Sequence, residues 1–178
     1  MASIETPRVG KEELLAKLAE MGLDCDTHEH PEVYTVEQAI PHVAHLEGMF
    51  AKNLFLRDKK KKLYLFCAAH DADIKLNDLA KAVKAPGGLR FADESVLSDK
   101  LGLQQGSVTV FGLINDKAKD VQLLMDSRFV GDTYTRLYFH PMTNAASTGI
   151  SPSDLNKFLE AVDHKATLVD IGAIQAAD

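Results

Sequence analysis

Three short stretches carry residue types from which a reactive site could be built. The first is Lys52-Asn53, an ammonium beside an amide in a β run. The second is Gly106-Ser107, where a glycine-containing loop either makes an ordinary turn or turns backbone N–H groups toward an anionic oxygen. The third is His140, which ends the run "TRLYFH" at Pro141 and is followed by small, mostly polar residues as far as Ser151. Such a run adds little to a core, and its hydroxyls and amides suit a wet, narrow chamber at the mouth of a strand. Histidine changes charge near neutral pH, so His140 stands either as a base or as a structural strand cap. A Ser or Cys nucleophile would need a base beside it and an acid to orient that base. The sequence contains no Gly-x-Ser-x-Gly elbow and no P-loop, kinase or dinucleotide motif. Residue chemistry alone therefore reaches as far as one site at which Lys52, the Gly106 loop and His140 converge.

Two further clusters invite other readings. "CDTHEH" packs Cys25, His28 and His30 into six residues, but strand alternation puts Cys25 on the face opposite the two histidines. His42 and His45 stand at helical spacing with no further ligand pair, so no metal is expected, and no motif calls for a cofactor. "RDKKKKL" places Lys59, Lys60, Lys61 and Lys62 in a charged turn, which is either a solvated hairpin tip or an arm that contacts RNA phosphates. The net charge of -6 argues against coating a nucleic acid through bulk electrostatics, and DNA is not an expected partner. Cys25 and Cys67 form no short-spaced motif, so reduced thiols are expected. The start "MASIETPRVGKEE" has neither the apolar core of a signal peptide nor that of an anchor, and no run is long enough to span a bilayer. A soluble, cytoplasmic protein without a membrane partner is the expectation.

These residues must be held by an α/β framework. With 178 residues, 46% of them hydrophobic, the chain is expected to form one domain over residues 1–178. Leu14, Leu15, Leu18 and Met21 recur at helical spacing ahead of Gly22, and "CDTHEH" alternates as a strand does. Thr35 and Gln38 have capping-box spacing, which predicts a short helix that stops near Pro41. The clearest hairpin joins 53–57 to 63–68 through the lysine turn. Helices are predicted around 76–83 and 93–101, then strands in "VTVFGLI", "VQLLMD" and "TRLYFH". Ser151 and Pro152 open a helix whose Leu155, Phe158, Leu159 and Val162 share a face, and "ATLVDI" reads as a last strand. The order predicts a mixed, curved sheet flanked by helices.

Taken in order, "GMFAKNLFL", "LGLQQGSVTVFGLIND" and "FHPMTNAASTGIS" resemble the YbaK/prolyl-tRNA synthetase-associated domain family, over roughly residues 14–172. The match is best to its freestanding branch, which removes alanine misattached to proline tRNA. The resemblance implies a curved, partly barrel-like mixed β-sheet surrounded by helices, with an aminoacyl-ester pocket at one end. It also implies that Lys52 is the residue most tied to activity, with Asn53 beside it. Gly106, Ser107, Val108, Thr109 and Val110 would line the pocket through their backbone, and His140 and the segment from Asn144 to Thr148 would border it. Val110 departs from the pattern, since many relatives have proline there; valine frees the loop's φ angle and restores an N–H. The implied activity is hydrolysis of mischarged tRNA, most directly alanyl-tRNA for proline, with the substrate's own ribose hydroxyl helping to activate water. Gly106 and Ser107 N–H groups would face the ester. Prolyl-tRNA synthetase is an implied partner, and the rival roles are a non-catalytic aminoacyl-tRNA-binding module and a synthetase-docking subunit.

Overall fold

A computed structural model describes residues 8–176. In chain order the first half contains α1 (Lys11–Glu20), β1 (Cys25–Glu29), α2 (Val36–Val43), β2 (Met49–Arg57), β3 (Leu63–Ala69), α3 (Leu76–Val83) and β4 (Arg90–Phe91). The second half contains α4 (Glu94–Leu101), a 3-10 helix at Val110–Asn115, β5 (Val121–Asp126), β6 (Leu137–Phe139), β7 (Ala146–Ile150), α5 (Pro152–Ala161), β8 (Thr167–Val169) and α6 (Ile171–Ala176).

The hairpin of β2 and β3 is the centre of the sheet. Asp58 fixes its turn: the buried carboxylate accepts the N–H groups of Lys60 and Lys62 and the hydroxyl of Tyr64. The register runs from Ala51 opposite Ala69 to Arg57 opposite Leu63. β3 is buried at every position, and its alternation divides two cores. Leu63, Leu65 and Cys67 pack with α1, α4 and α5, while Tyr64, Phe66 and Ala68 pack with Leu79 of α3 and Ile171 of α6. Helices thus cover both faces, as strands apolar on both sides require. The sheet order is β1-β7-β6-β2-β3-β5-β8, with β4 an extra partner of β2. β3–β5, β5–β8 and β2–β6 are parallel and the other pairs antiparallel. The sheet is mixed, as expected, but β1 and β8 do not pair, so it stays open rather than closing into a barrel.

Four local expectations differ from the structure. "VTVFGLI" does not form a strand. Thr109 caps a 3-10 helix through Oγ1 to the Phe111 N–H, and the apolar run knots into the core with Phe111 edge-on to Phe139 and Phe158. An apolar run of that length has no period that separates the two outcomes. The helix begun at Thr35 continues through Pro41 to Val43, with Ala39 and Val43 buried beneath it. α6 and the two-residue β4 have no counterpart in the periodicity reading. The fourth difference is the small-residue segment, which is a fully buried strand, β7, between β1 and β6. A Cβ at Gly149 would lie 2.6 Å from both Asp26 Oδ1 and a Tyr138 ring carbon, so the small side chains make room for that ring and for the Arg136–Asp26 ion pair. No helix among the described residues is long and apolar enough to cross a membrane.

Candidate functional site

The two edges of β2 are paired unequally. Toward β3 the ladder is continuous from Ala51 to Arg57. On the other edge β6 pairs only with Met49 and Phe50, and β4 only with Leu56 and Arg57. Direction follows from the bonds that flank the gap. Phe50 accepts from His70 on the β3 side, whereas Met49 donates to Arg136 and Phe55 accepts from Ala92 on the other. Odd-numbered residues therefore present their backbone groups away from β3. Asn53, midway along the unpaired stretch, turns its own N–H and C=O into the gap. Edges of this kind are normally covered or blunted; here a cavity of about 400 Å3 fills the space.

Lys52 and Asn53 both line this cavity, because an open strand edge exposes both faces of the strand. Lys52 is half-buried and its Nζ donates to the carbonyl of Ala72, just after β3, leaving two of its three N–H bonds for another acceptor. Asn53 Oδ1 is buried without any hydrogen-bond partner. A desolvated acceptor of this kind costs about 1–3 kcal/mol.

Gly106 and Val108 form part of the opposite wall. Gly106 has φ +89, and a Cβ there would stand 3.0 Å from the Tyr34 ring and 3.3 Å from Asn144 Nδ2, so both conformation and space require glycine. Ser107, Thr109 and Val110 do not reach the cavity. The Ser107 N–H closes a turn onto the Gln104 carbonyl, which removes it from the pair of donors expected to face an ester. Thr109 and Val110 are fully buried, and Val110 packs in the main core. The freedom that valine restores at that position thus acts on the core side of the loop. Asn144 touches the Gly106 turn without lining the cavity; Thr148 bonds to Thr27 of β1, and Ser147 to His30, the residue after that strand.

His140 lines the cavity from the end of β6. Its Nδ1 donates to the Ala146 carbonyl at 2.9 Å, which fixes the neutral tautomer and leaves Nε2 as an acceptor. Burial lowers its pKa below 6.5; the bond to Ala146 opposes that shift, and nearby His30 adds to it. Burial therefore favours the neutral ring.

Several lining residues escaped the sequence reading: Tyr34 and Thr35 at the start of α2, Phe91 on β4, Glu94 at the start of α4, and Gln105. Only Gln105, next to Gly106, carried a signal, and it was adjacency alone. A larger groove of about 530 Å3 between α3, β8 and α6 holds none of the residues singled out from the sequence. Lys59, Lys60, Lys61 and Lys62 are exposed at the far end of β2, and none of them is in an ion pair among the described residues. Cys25 and Cys67 are free thiols, and among the described residues no three His, Cys, Asp or Glu side chains are grouped to hold a metal ion.

Residues 30–158 match the model of the aminoacyl-tRNA editing domain. A prolyl-tRNA synthetase associated domain-containing protein of Xenopus laevis is 47% identical over 161 residues, covering 89% of this chain and 95% of that one. The prolyl-tRNA editing protein ProX of Acetoanaerobium sticklandii is 34% identical over 152 residues, 85% of this chain and 91% of its own. A crystal structure presented as that of a candidate trans-editing enzyme for prolyl tRNA synthetase superposes with a TM-score of 0.68 at 19% identity. It covers 93% of this chain and 98% of that one, and shares its fold.

Proposed function

Because the chain belongs to the aminoacyl-tRNA editing domain family, we propose that it acts in trans as a hydrolase, cleaving the ester of mischarged tRNA, with alanyl-tRNA for proline as its principal substrate. The observation that carries this reading is the grouping of Lys52, whose ammonium keeps two N–H bonds free, with Asn53 and His140 around one cavity beside an open strand edge. An aminoacyl ester presents complementary groups: an ammonium that needs an acceptor, and ester and phosphate oxygens that need donors.

An aminoacyl ester is already reactive toward water, so the site has to position and stabilise rather than supply a nucleophile. Water adds to the ester carbonyl carbon, and its proton passes by way of the free hydroxyl of the terminal ribose to the departing ribose oxygen. The products are the free amino acid and a tRNA whose esterified hydroxyl is restored. In this scheme Lys52 holds the terminal phosphate or ribose edge. Asn53 turns its Oδ1 into the cavity to accept from the substrate ammonium, with the Glu94 carboxylate supplying attraction from the rim. Gly106 offers its N–H to the carbonyl oxygen as charge develops. His140, neutral, shapes the acyl chamber through Nε2 and is not required to take a proton. Discrimination is by exclusion: an alanyl group enters where the prolyl ring does not, as in a second editing sieve. Lys59, Lys60, Lys61 and Lys62 lie along the approach of the acceptor stem, and prolyl-tRNA synthetase is the proposed source of the mischarged product.

The experiment is multiple-turnover ester loss from a panel of aminoacylated tRNAs. Alanyl-tRNA for proline is expected to be consumed catalytically while prolyl-tRNA is spared. Stoichiometric binding without turnover would make the protein a binding module instead.

A further inference from the structure

The chain has 8 Phe and 4 Tyr, all among the described residues, and only Tyr34 and Phe91 are strongly exposed, at 64% and 62%. Both line the same cavity. Exposed aromatic rings forgo the burial that makes these side chains valuable to a core, so two at one mouth call for an occupant.

Each ring is held by backbone rather than left loose. The Tyr34 N–H donates to Gln38 Oε1 at 2.8 Å, and the Gln38 N–H returns to Thr35 Oγ1, which anchors the residue at the start of α2. The Tyr34 ring lies over the Gly106 turn, where only a glycine leaves it room. Phe91 pairs across the ladder with Leu56, yet Leu56 is completely buried while Phe91 stands out of the sheet.

The neighbouring register position adds charge. Arg57 and Arg90 stand directly opposite each other on β2 and β4, and neither is in an ion pair among the described residues. Like charges opposite one another destabilise an antiparallel pair unless an anion lies between or above them. Alternation sends these two side chains to the face opposite Phe91, so they add positive charge to the end of the edge, while the exposed ring offers the π face on which a base stacks.

We propose that Tyr34 and Phe91 are base-stacking platforms for the unpaired 3′ nucleotides of tRNA, and that Arg57 and Arg90 add electrostatic attraction for the same strand at the β4 end of the edge. This rests on the deacylase reading, to which it adds the grip on the nucleotide side of the ester. That single-stranded end is common to all tRNAs, so the grip raises affinity for every tRNA and leaves the choice of acyl group to the chamber.

The test uses uncharged RNA, which separates it from catalysis. The probe is an acceptor-stem hairpin with a four-nucleotide 3′ overhang that ends in 2-aminopurine, whose fluorescence is quenched on stacking. Wild-type protein is expected to bind and quench it. Tyr34→Leu and Phe91→Leu keep apolar bulk but lose the π face, and each should weaken binding about 5- to 100-fold and reduce the quench. Tyr34→Phe and Phe91→Tyr should retain both. Arg57→Gln and Arg90→Gln should each make binding less dependent on salt. A blunt hairpin should not distinguish wild type from the leucine variants. Leucine variants that bind and quench as wild type does would overturn the proposal, even in a protein that deacylates alanyl-tRNA. Variants that lose affinity for prolyl-tRNA synthetase while RNA binding is unchanged would overturn it in favour of a protein contact. A protein that stacks the probe but hydrolyses no ester would sink the deacylase reading and keep this one.

Discussion

The two edges of β2 carry the same strand chemistry to opposite ends. Along β3, seven consecutive residue pairs close every gap, and side chains on both faces disappear into the two cores. On the other edge the partners β6 and β4 stop short of each other, and the unpaired stretch between them holds an amide oxygen without a partner and a half-buried lysine. The contrast separates what holds the fold from what equips the site: pairing and apolar burial are spent on one edge, and unsatisfied polar groups are kept on the other.

The largest loss of stability is expected from the paired edge. Phe66→Ala removes a ring that is only 2% exposed, and it should destabilise the protein by about 3–5 kcal/mol, measured by denaturant unfolding. A loss below about 1 kcal/mol would mean that the β3 edge is not where stability resides. Next comes Gly106→Ala, which forces a side chain into a left-handed conformation and against the Tyr34 ring. A loss of about 1–3 kcal/mol is expected, together with weaker substrate binding.

The open edge should answer in the reverse sense. Asn53→Leu removes the unsatisfied acceptor at nearly constant volume, so stability should hold or rise by about 1 kcal/mol while deacylation falls sharply. A destabilised variant would show that Asn53 serves the fold. The smallest effect is that of pH on His140, read from its imidazole resonances by NMR. Its pKa should fall below 6.5, because burial disfavours the charged ring. Above 6.5 the ring is neutral in both folded and unfolded chains, so its contribution to stability is fully present there. As pH falls, the unfolded chain takes up the proton first, and that contribution is lost as pH drops through the folded value. His140→Asn should flatten this part of the acid stability curve, measured by unfolding at a series of pH values.

The parts of this architecture that are local in sequence were legible there. The β2–β3 hairpin announces itself through two apolar runs around a charged turn, and α5 through Ser151 and Pro152, which cap it as the pattern predicts. Helix α3 occupies the predicted residues, 76–83. What was not legible depends on distant partners. The gap beside Asn53 exists because β6 and β4, dozens of residues away, are too short to meet, and periodicity along β2 carries no trace of that. β7 was misread because small polar residues usually mark a loop, whereas here they yield space to Tyr138 and to an ion pair. The 3-10 helix at Val110 drew its shape from tertiary packing around Phe111. For the site, family resemblance singled out Lys52 and His140 more sharply than residue chemistry did. Neither gave warning of Tyr34, Phe91 or Glu94, whose place at the cavity is set by how α2, β4 and α4 pack around the open edge.

Whether the open edge of β2 is a hydrolytic site is tested by multiple-turnover deacylation of alanyl-tRNA for proline with wild type and with Lys52→Ala. Catalytic turnover by wild type is expected, and in the variant a loss of at least about a hundredfold with folding intact. Equal rates for the two proteins, or no turnover by wild type, would contradict it.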